Sequence, residues 1–95
     1  MPTIGVITLE LRFEDSHSLK NKRHFVKGLK DRLRKKFNVS VAEIDYQELW
    51  QRSLIAATTV ATDRVGAEQT LRAVEKDVAL TLGPYLVDAT LEWLD

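Results

Sequence analysis

Ninety-five residues without a cysteine, 44% hydrophobic and 29% charged, describe one globular domain over 1–95 with a modest core. They exclude a disulfide scaffold, a thiolate metal centre and a cysteine nucleophile. Net charge is zero, yet nine basic residues and a single acid, Asp31, fall between His17 and Lys36, so a basic segment stands on an acidic body, a pattern that marks an anionic partner or internal charge balance.

In chain order, Thr3 to Phe13 is predicted as the first strand, because Ile7, Leu9, Leu11 and Phe13 alternate with Thr8, Glu10 and Arg12 at the period of a half-buried strand. The opening MPTIGVITLEL has no cationic leader, and no apolar run approaches the roughly 20 residues of a membrane span; a cytoplasmic location is expected. Ser16 to Phe37 is predicted as the first helix, capped by Ser16 or Ser18. Its core arc is Leu19, Val26, Leu29, Leu33 and Phe37, while Gly28 lies off that arc with no evident role.

Asn38 to Asp45 is the second strand. Val39 and Val41 share one face, Ala42 and Ile44 the other, so the pattern calls for a bulge or burial of both faces. Tyr46 to Gln51 connects it to the third strand, Arg52 to Ala61, with a helical turn and with Trp50 expected as an anchor in the core. SLIAATTVA is apolar or small on both faces, as a central or interface strand is. Asp63 caps a second helix whose core positions are Ala67, Leu71, Val74, Val78 and Leu82, closed by Gly83-Pro84. Tyr85 to Leu94 is the last strand, with Tyr85, Val87, Ala89, Leu91 and Trp93 on one face and Leu86, Asp88, Thr90 and Glu92 on the other. The order βαββαβ is that of an α+β, ferredoxin-like sandwich: a four-stranded antiparallel sheet with both helices on one face.

On the first helix Lys20, Arg23, Lys27, Lys30 and Arg34 step by three and four residues and so form one stripe. The stripe runs about 21 Å at 1.5 Å per residue. A row of cations on a rigid rod suits a phosphate backbone, although most charged helix faces are simply solvated. Lys20, Lys22 and Arg23 sit in the first turns, where they oppose the helix dipole. Together with Ser16, His17 and Ser18 and the free helix N–H groups, they form a candidate anion site. Arg34, Lys35 and Lys36 suit the other end of the dipole. The sheet face, with no aromatic on the third strand and with Glu10, Asp88 and Glu92 exposed, is expected to repel nucleic acid, unlike the base-stacking sheets of RNA-recognition motifs.

His17 and His24 have no carboxylate at ligand spacing, so no metal site is expected. Glu43, Asp45 and Glu48 read as a solvated strand end, a partner for the basic helix, or a weak cation site. Ser16 and Ser18 lack a nucleophile elbow and a base, and no Gly-rich phosphate loop is present; neither catalysis nor a cofactor is expected. Apolar content on both faces of strands 38–45 and 52–61 is compatible with a homodimer through them.

HSLKNKR at His17 to Arg23, FNVSVAE at Phe37 to Glu43 and DYQELWQR at Asp45 to Arg52 together resemble the YlxP-like family of small bacterial proteins, grouped as domain of unknown function 503. The resemblance covers nearly the whole chain and implies a ferredoxin-like fold. Its members are often encoded beside translation and ribosome-maturation factors, which implies an RNA or ribosome role by association. Tyr46 stands where histidine is common in the family, so the resemblance carries no histidine-based site into the connection. The leading expectation is a non-enzymatic RNA- or ribosome-associated protein whose Lys20, Lys22, Arg23, Lys27, Lys30 and Arg34 contact phosphates. The alternatives are a homodimeric interaction module and, on fold analogy alone, a small-ligand regulatory domain.

Overall fold

The computed structural model describes residues 1–14 and 17–94. Its elements are β1 (Thr3–Arg12), α1 (Leu19–Lys36), β2 (Ser40–Asp45), β3 (Arg52–Ala61), α2 (Arg64–Leu82) and β4 (Leu86–Trp93), with a 3-10 turn at Gly83–Tyr85 before β4. The strands form one antiparallel sheet in the order β2-β3-β1-β4. β1 pairs on both sides, Ile7 standing opposite Ala57 of β3 and Leu91 of β4. The chain is an α+β, ferredoxin-like βαββαβ sandwich.

Alternation along the two central strands decides which face the helices cover. Ile7, Leu9 and Leu11 of β1 and Ile55 and Ala57 of β3 are buried under Val26, Leu29 and Leu33 of α1 and Leu71, Val74 and Val78 of α2. Each such aliphatic side chain contributes about 1.5–3 kcal/mol by leaving water. The five core positions read from the α2 sequence are all buried. Gly5 is what lets α2 and the end of β4 close on β1, because a Cβ there would stand 2.8 Å from both Leu71 Cδ1 and Trp93 Cζ3, well inside van der Waals contact.

Local chemistry sets the ends of the helices. The Ser18 side chain accepts from the Asn21 N–H at 3.0 Å and that of Asp63 from the Gly66 N–H at 2.7 Å, each satisfying an N–H without a helical partner. Gly83, at φ 51°, takes the left-handed backbone that ends α2. Gly28 has a different standing: it is an exposed residue in mid-helix and a Cβ there would meet nothing. Gly28→Ala should therefore raise stability by about 0.5–1 kcal/mol through the unfolded chain's entropy, seen as a Tm higher by roughly 2–8 °C in a thermal melt.

Two sequence expectations need correction, and the alternative left open for β2 resolves to the bulge. Trp50 is not a core anchor: it is 45% exposed, on a tight turn closed by the Leu49 N–H donating to the Tyr46 carbonyl at 3.0 Å. The mixed pattern of β2 reflects a bulge and not double burial, since the register with β3 shifts between Glu43 and Asp45 and leaves Ile44 half exposed. A second shift, opposite Glu10 and Leu11, turns Val87 outward and Leu86 toward the core, so the alternation expected for the last strand breaks at its start. Ser16, one of the two proposed caps, lies outside the described residues.

The face away from the helices is open. Thr8, Glu10, Asp88, Thr90 and Glu92 make its β1–β4 half, as the alternation implies. Its β2–β3 half is small and apolar, with Ala42 opposite Ala56 and with Ile44 and Val60 exposed.

Candidate functional site

α1 lies over the β2 side of the sheet, and its three longitudinal faces do different work. One face is core. Along the flank, Lys20, Arg23, Lys27 and Arg34 are exposed and Lys30 is half-buried. Within this stripe Lys27 and Arg34 both reach Asp31, at 2.9 and 3.3 Å, and Arg23 approaches Glu48 of the 46–51 turn at 3.5 Å. Arg34 also donates to the Val41 carbonyl of edge strand β2 at 2.7 Å. The hydrogen bond from Lys27, ahead of the opposing effect of burial and aided by the charges of Lys27, Arg34 and Lys30, holds the Asp31 carboxyl below its usual range. These pairs are solvated and of small energetic weight, so their cations remain able to change partner. Lys20 and Lys30 make no ion pair among the described residues.

Lys22 does not belong with them. Its side chain is buried, and Nζ donates to Glu43 Oε2 at 2.7 Å, to the Tyr46 carbonyl at 2.9 Å and to the Arg52 carbonyl at 3.2 Å. Three donors meet three acceptors, so no proton is left for an external phosphate. The assignment of Lys22 to a phosphate contact is therefore corrected: it is a structural clasp. Glu43 Oε2 also accepts from the Ser53 hydroxyl at 2.6 Å. Beside this cluster Arg52 stacks on the Tyr46 ring, 4.0 Å from its centroid, and donates to Glu10 at 2.9 Å and to the Tyr46 hydroxyl at 3.0 Å. The bond that Arg52 donates to Glu10, against the pull of burial, raises the guanidinium pKa further.

The inner flank of α1 is tied to α2. Arg32 and Lys36 reach the two oxygens of buried Asp77 at 2.6 and 2.5 Å, and Arg32 also reaches the Thr81 hydroxyl at 2.7 Å. Burial alone would push the Asp77 carboxyl up, but the hydrogen bonds from Lys36 and Arg32 outweigh it and hold it below its usual value. Internal charge balance thus accounts for Lys22, Arg32 and Lys36; the five-residue flank stripe and the exposed Lys35 are what remain.

The other candidates resolve one by one. Glu43 holds Lys22, Glu48 approaches Arg23, and Asp45 accepts from the Tyr46 N–H at 2.7 Å, so the acidic trio pairs with the basic helix and with its own backbone. Among the described residues no three side chains converge as metal ligands. Ser18 takes the Asn21 N–H that an anion would have used. His17 and His24 are exposed. Among the described residues no helix is long and apolar enough to cross a membrane.

One sequence signal was available for Lys22. Leu19, Lys22, Val26, Leu29 and Leu33 step by three, four, three and four, so the lysine fills a gap in the apolar stripe itself, and a cation there requires a buried partner. The exposure of Trp50 had no comparable signal, because it depends on the tight path of the turn.

The three segments that carry the family resemblance meet at this clasp: Lys22 comes from the first, Glu43 from the second, and the carbonyls of Tyr46 and Arg52 from the third. The family model described as protein of unknown function (DUF503) matches residues 4–90. The uncharacterized protein YlxP of Bacillus subtilis (strain 168) is 41% identical over 71 residues, which are 75% of this chain and 77% of that one. A clasp built from all three segments, inside a match that runs from β1 into β4, places this chain in the DUF503 family.

Proposed function

We propose that the chain is a non-enzymatic, cytoplasmic binding protein for RNA, free or within the ribosome, and that Lys20, Arg23, Lys27, Lys30 and Arg34 are its phosphate contacts. The observation that carries this reading is the division of α1: once the three internal fasteners and the exposed Lys35 are set aside, the five remaining cations line one flank, four of them exposed and Lys30 half-buried. Lys20 and Arg23 stand near the N-terminal end of that flank, where the dipole disfavours them. A cysteine-free chain suits a reducing compartment. At this end of the molecule the Lys22 ammonium has three acceptors for its three protons, an arrangement suited to holding a surface in shape.

Charge reversal tests the reading. Replacing Lys20, Arg23 and Lys27 by Glu should weaken binding of a ribosomal RNA fragment more than a hundredfold in a filter assay at moderate salt. It should also lower the slope of log affinity against log salt by about 2, near 0.7 for each lost phosphate contact on a single strand. Wild-type binding that is absent at low salt, or that does not respond to salt, overturns the proposal.

A second reading, a homodimeric interaction module, draws on the open sheet face. There Val6, Ala42, Ala56, Thr58 and Leu94 line a shallow trough of about 310 Å³ on the side that includes the strands singled out in the sequence. Light scattering that returns the mass of one chain at high concentration removes it.

A further inference from the structure

Building on the RNA reading, we infer that Trp50 is a stacking platform for an unpaired base, so that the nucleic acid held by the basic flank is single-stranded. Every other aromatic side chain among the described residues has a partner within the fold. Phe13 meets Phe25 and Tyr85 with ring centroids 5.0 and 5.5 Å apart, Lys36 lies over Phe37, Arg52 over Tyr46 and Arg64 over Trp93. Among the described residues Trp50 has neither a ring nor a cation against it, and it is 45% exposed, beside Leu49 at 44%. An indole left in water forgoes more burial than any other side chain, and the turn that displays it is held in place.

The turn is fixed at both ends and brushes the cationic flank between them. Lys22 binds the carbonyls of Tyr46 and Arg52, the Phe13 N–H donates to the Gln51 carbonyl at 2.9 Å, and Glu48 lies 3.5 Å from Arg23 of the cationic flank. Tyr46 accepts a left-handed φ of 63° to make this path, a conformation that costs a residue other than glycine about 1 kcal/mol or more. Trp50 belongs to the same turn as Glu48, the turn that meets Arg23 near the N-terminal end of the stripe. Cations that track a backbone, next to an exposed ring on a rigid support, are the two components of single-strand recognition. In an A-form duplex the base faces are stacked inside and offer an indole nothing.

The inference rests on the RNA reading, and one titration separates them. The chain with Trp93→Phe, in which Trp50 is the remaining tryptophan, is titrated at low salt with a 12-nucleotide RNA of mixed sequence and with the same strand annealed to its complement. The expected result is quenching of Trp50 emission by the single strand, with affinity at least ten times that for the duplex. Trp50→Ala should lower single-strand affinity about tenfold and leave the duplex affinity unchanged, while Trp50→Phe keeps most of it; circular dichroism checks that the variants are folded. Equal affinities with unchanged Trp50 emission overturn the stacking role and leave the cationic flank standing. A tenfold loss on both RNAs in Trp50→Ala likewise overturns it, and failure of both RNAs to bind removes both readings.

Discussion

Lys22→Met should unfold at a much lower urea concentration than the wild-type chain, with a loss of about 3–5 kcal/mol. That is the expected cost of removing one member of a buried ion pair and leaving the other charge behind. The side chain of Glu43 is only 12% exposed, and it keeps the Ser53 hydroxyl as a partner, which compensates a hydroxyl's worth of the loss but not a cation's. The carbonyls of Tyr46 and Arg52 also lose a donor. A double variant, Lys22→Met with Glu43→Gln, should recover more than half of the loss, because the stranded charge is gone and only the hydrogen bonds remain unmade. The check is the midpoint of urea unfolding at constant m-value. A single variant within 1 kcal/mol of wild type would show that the ammonium is dispensable.

Asp77→Asn should cost about 2–3 kcal/mol near neutral pH, since the carboxylate takes charge-assisted hydrogen bonds from both Arg32 and Lys36 and an amide keeps their geometry without their charge. The loss depends on pH in a definite direction. The folded carboxyl is held below its usual value, so its contribution is complete above the unfolded-state pKa of about 3.9. It disappears as pH falls through the lower folded-state value. Wild type and variant should therefore differ by the full amount at pH 6–7 and converge in acid. Urea midpoints measured from pH 7 down to pH 2.5 test this. A gap that stays constant over the range would mean that packing of the side chain, and not its charge, joins the helices.

The extent to which the sequence announces this molecule varies with the physics of each part. α2 is legible to the residue: an Asp cap, five core positions on one arc and a Gly-Pro stop all act locally, and all are observed. β3 is read with its observed ends because a run of small and β-branched residues between polar neighbours leaves little choice. The bulges are harder. In β2 the conflicting faces pointed to one; in β4 the displacement of Val87 depends on how Leu86 meets Leu11, a contact between distant parts of the chain. The basic helix was legible as a charge pattern but not as a division of labour. Lys22, Arg32 and Lys36 find their partners 21 or more residues away, and only the fold decides which of nine cations are fasteners. Trp50 failed for the opposite reason: large aromatic residues are usually buried, and this one sits where the chain turns too tightly to fold its ring inward.

Arg34 does two things at once, and the combination bears on self-assembly. Its guanidinium joins the cationic flank and also holds the Val41 carbonyl on the outermost strand. A free strand margin is where one protein chain adds to another and fibrils begin. β2 meets that hazard with an arginine on its backbone and a kink two residues further along. An anion that draws Arg34 away therefore uncovers the margin, and a chain saturated with polyanion should be more prone to ordered aggregation along β2 than the same chain in plain buffer.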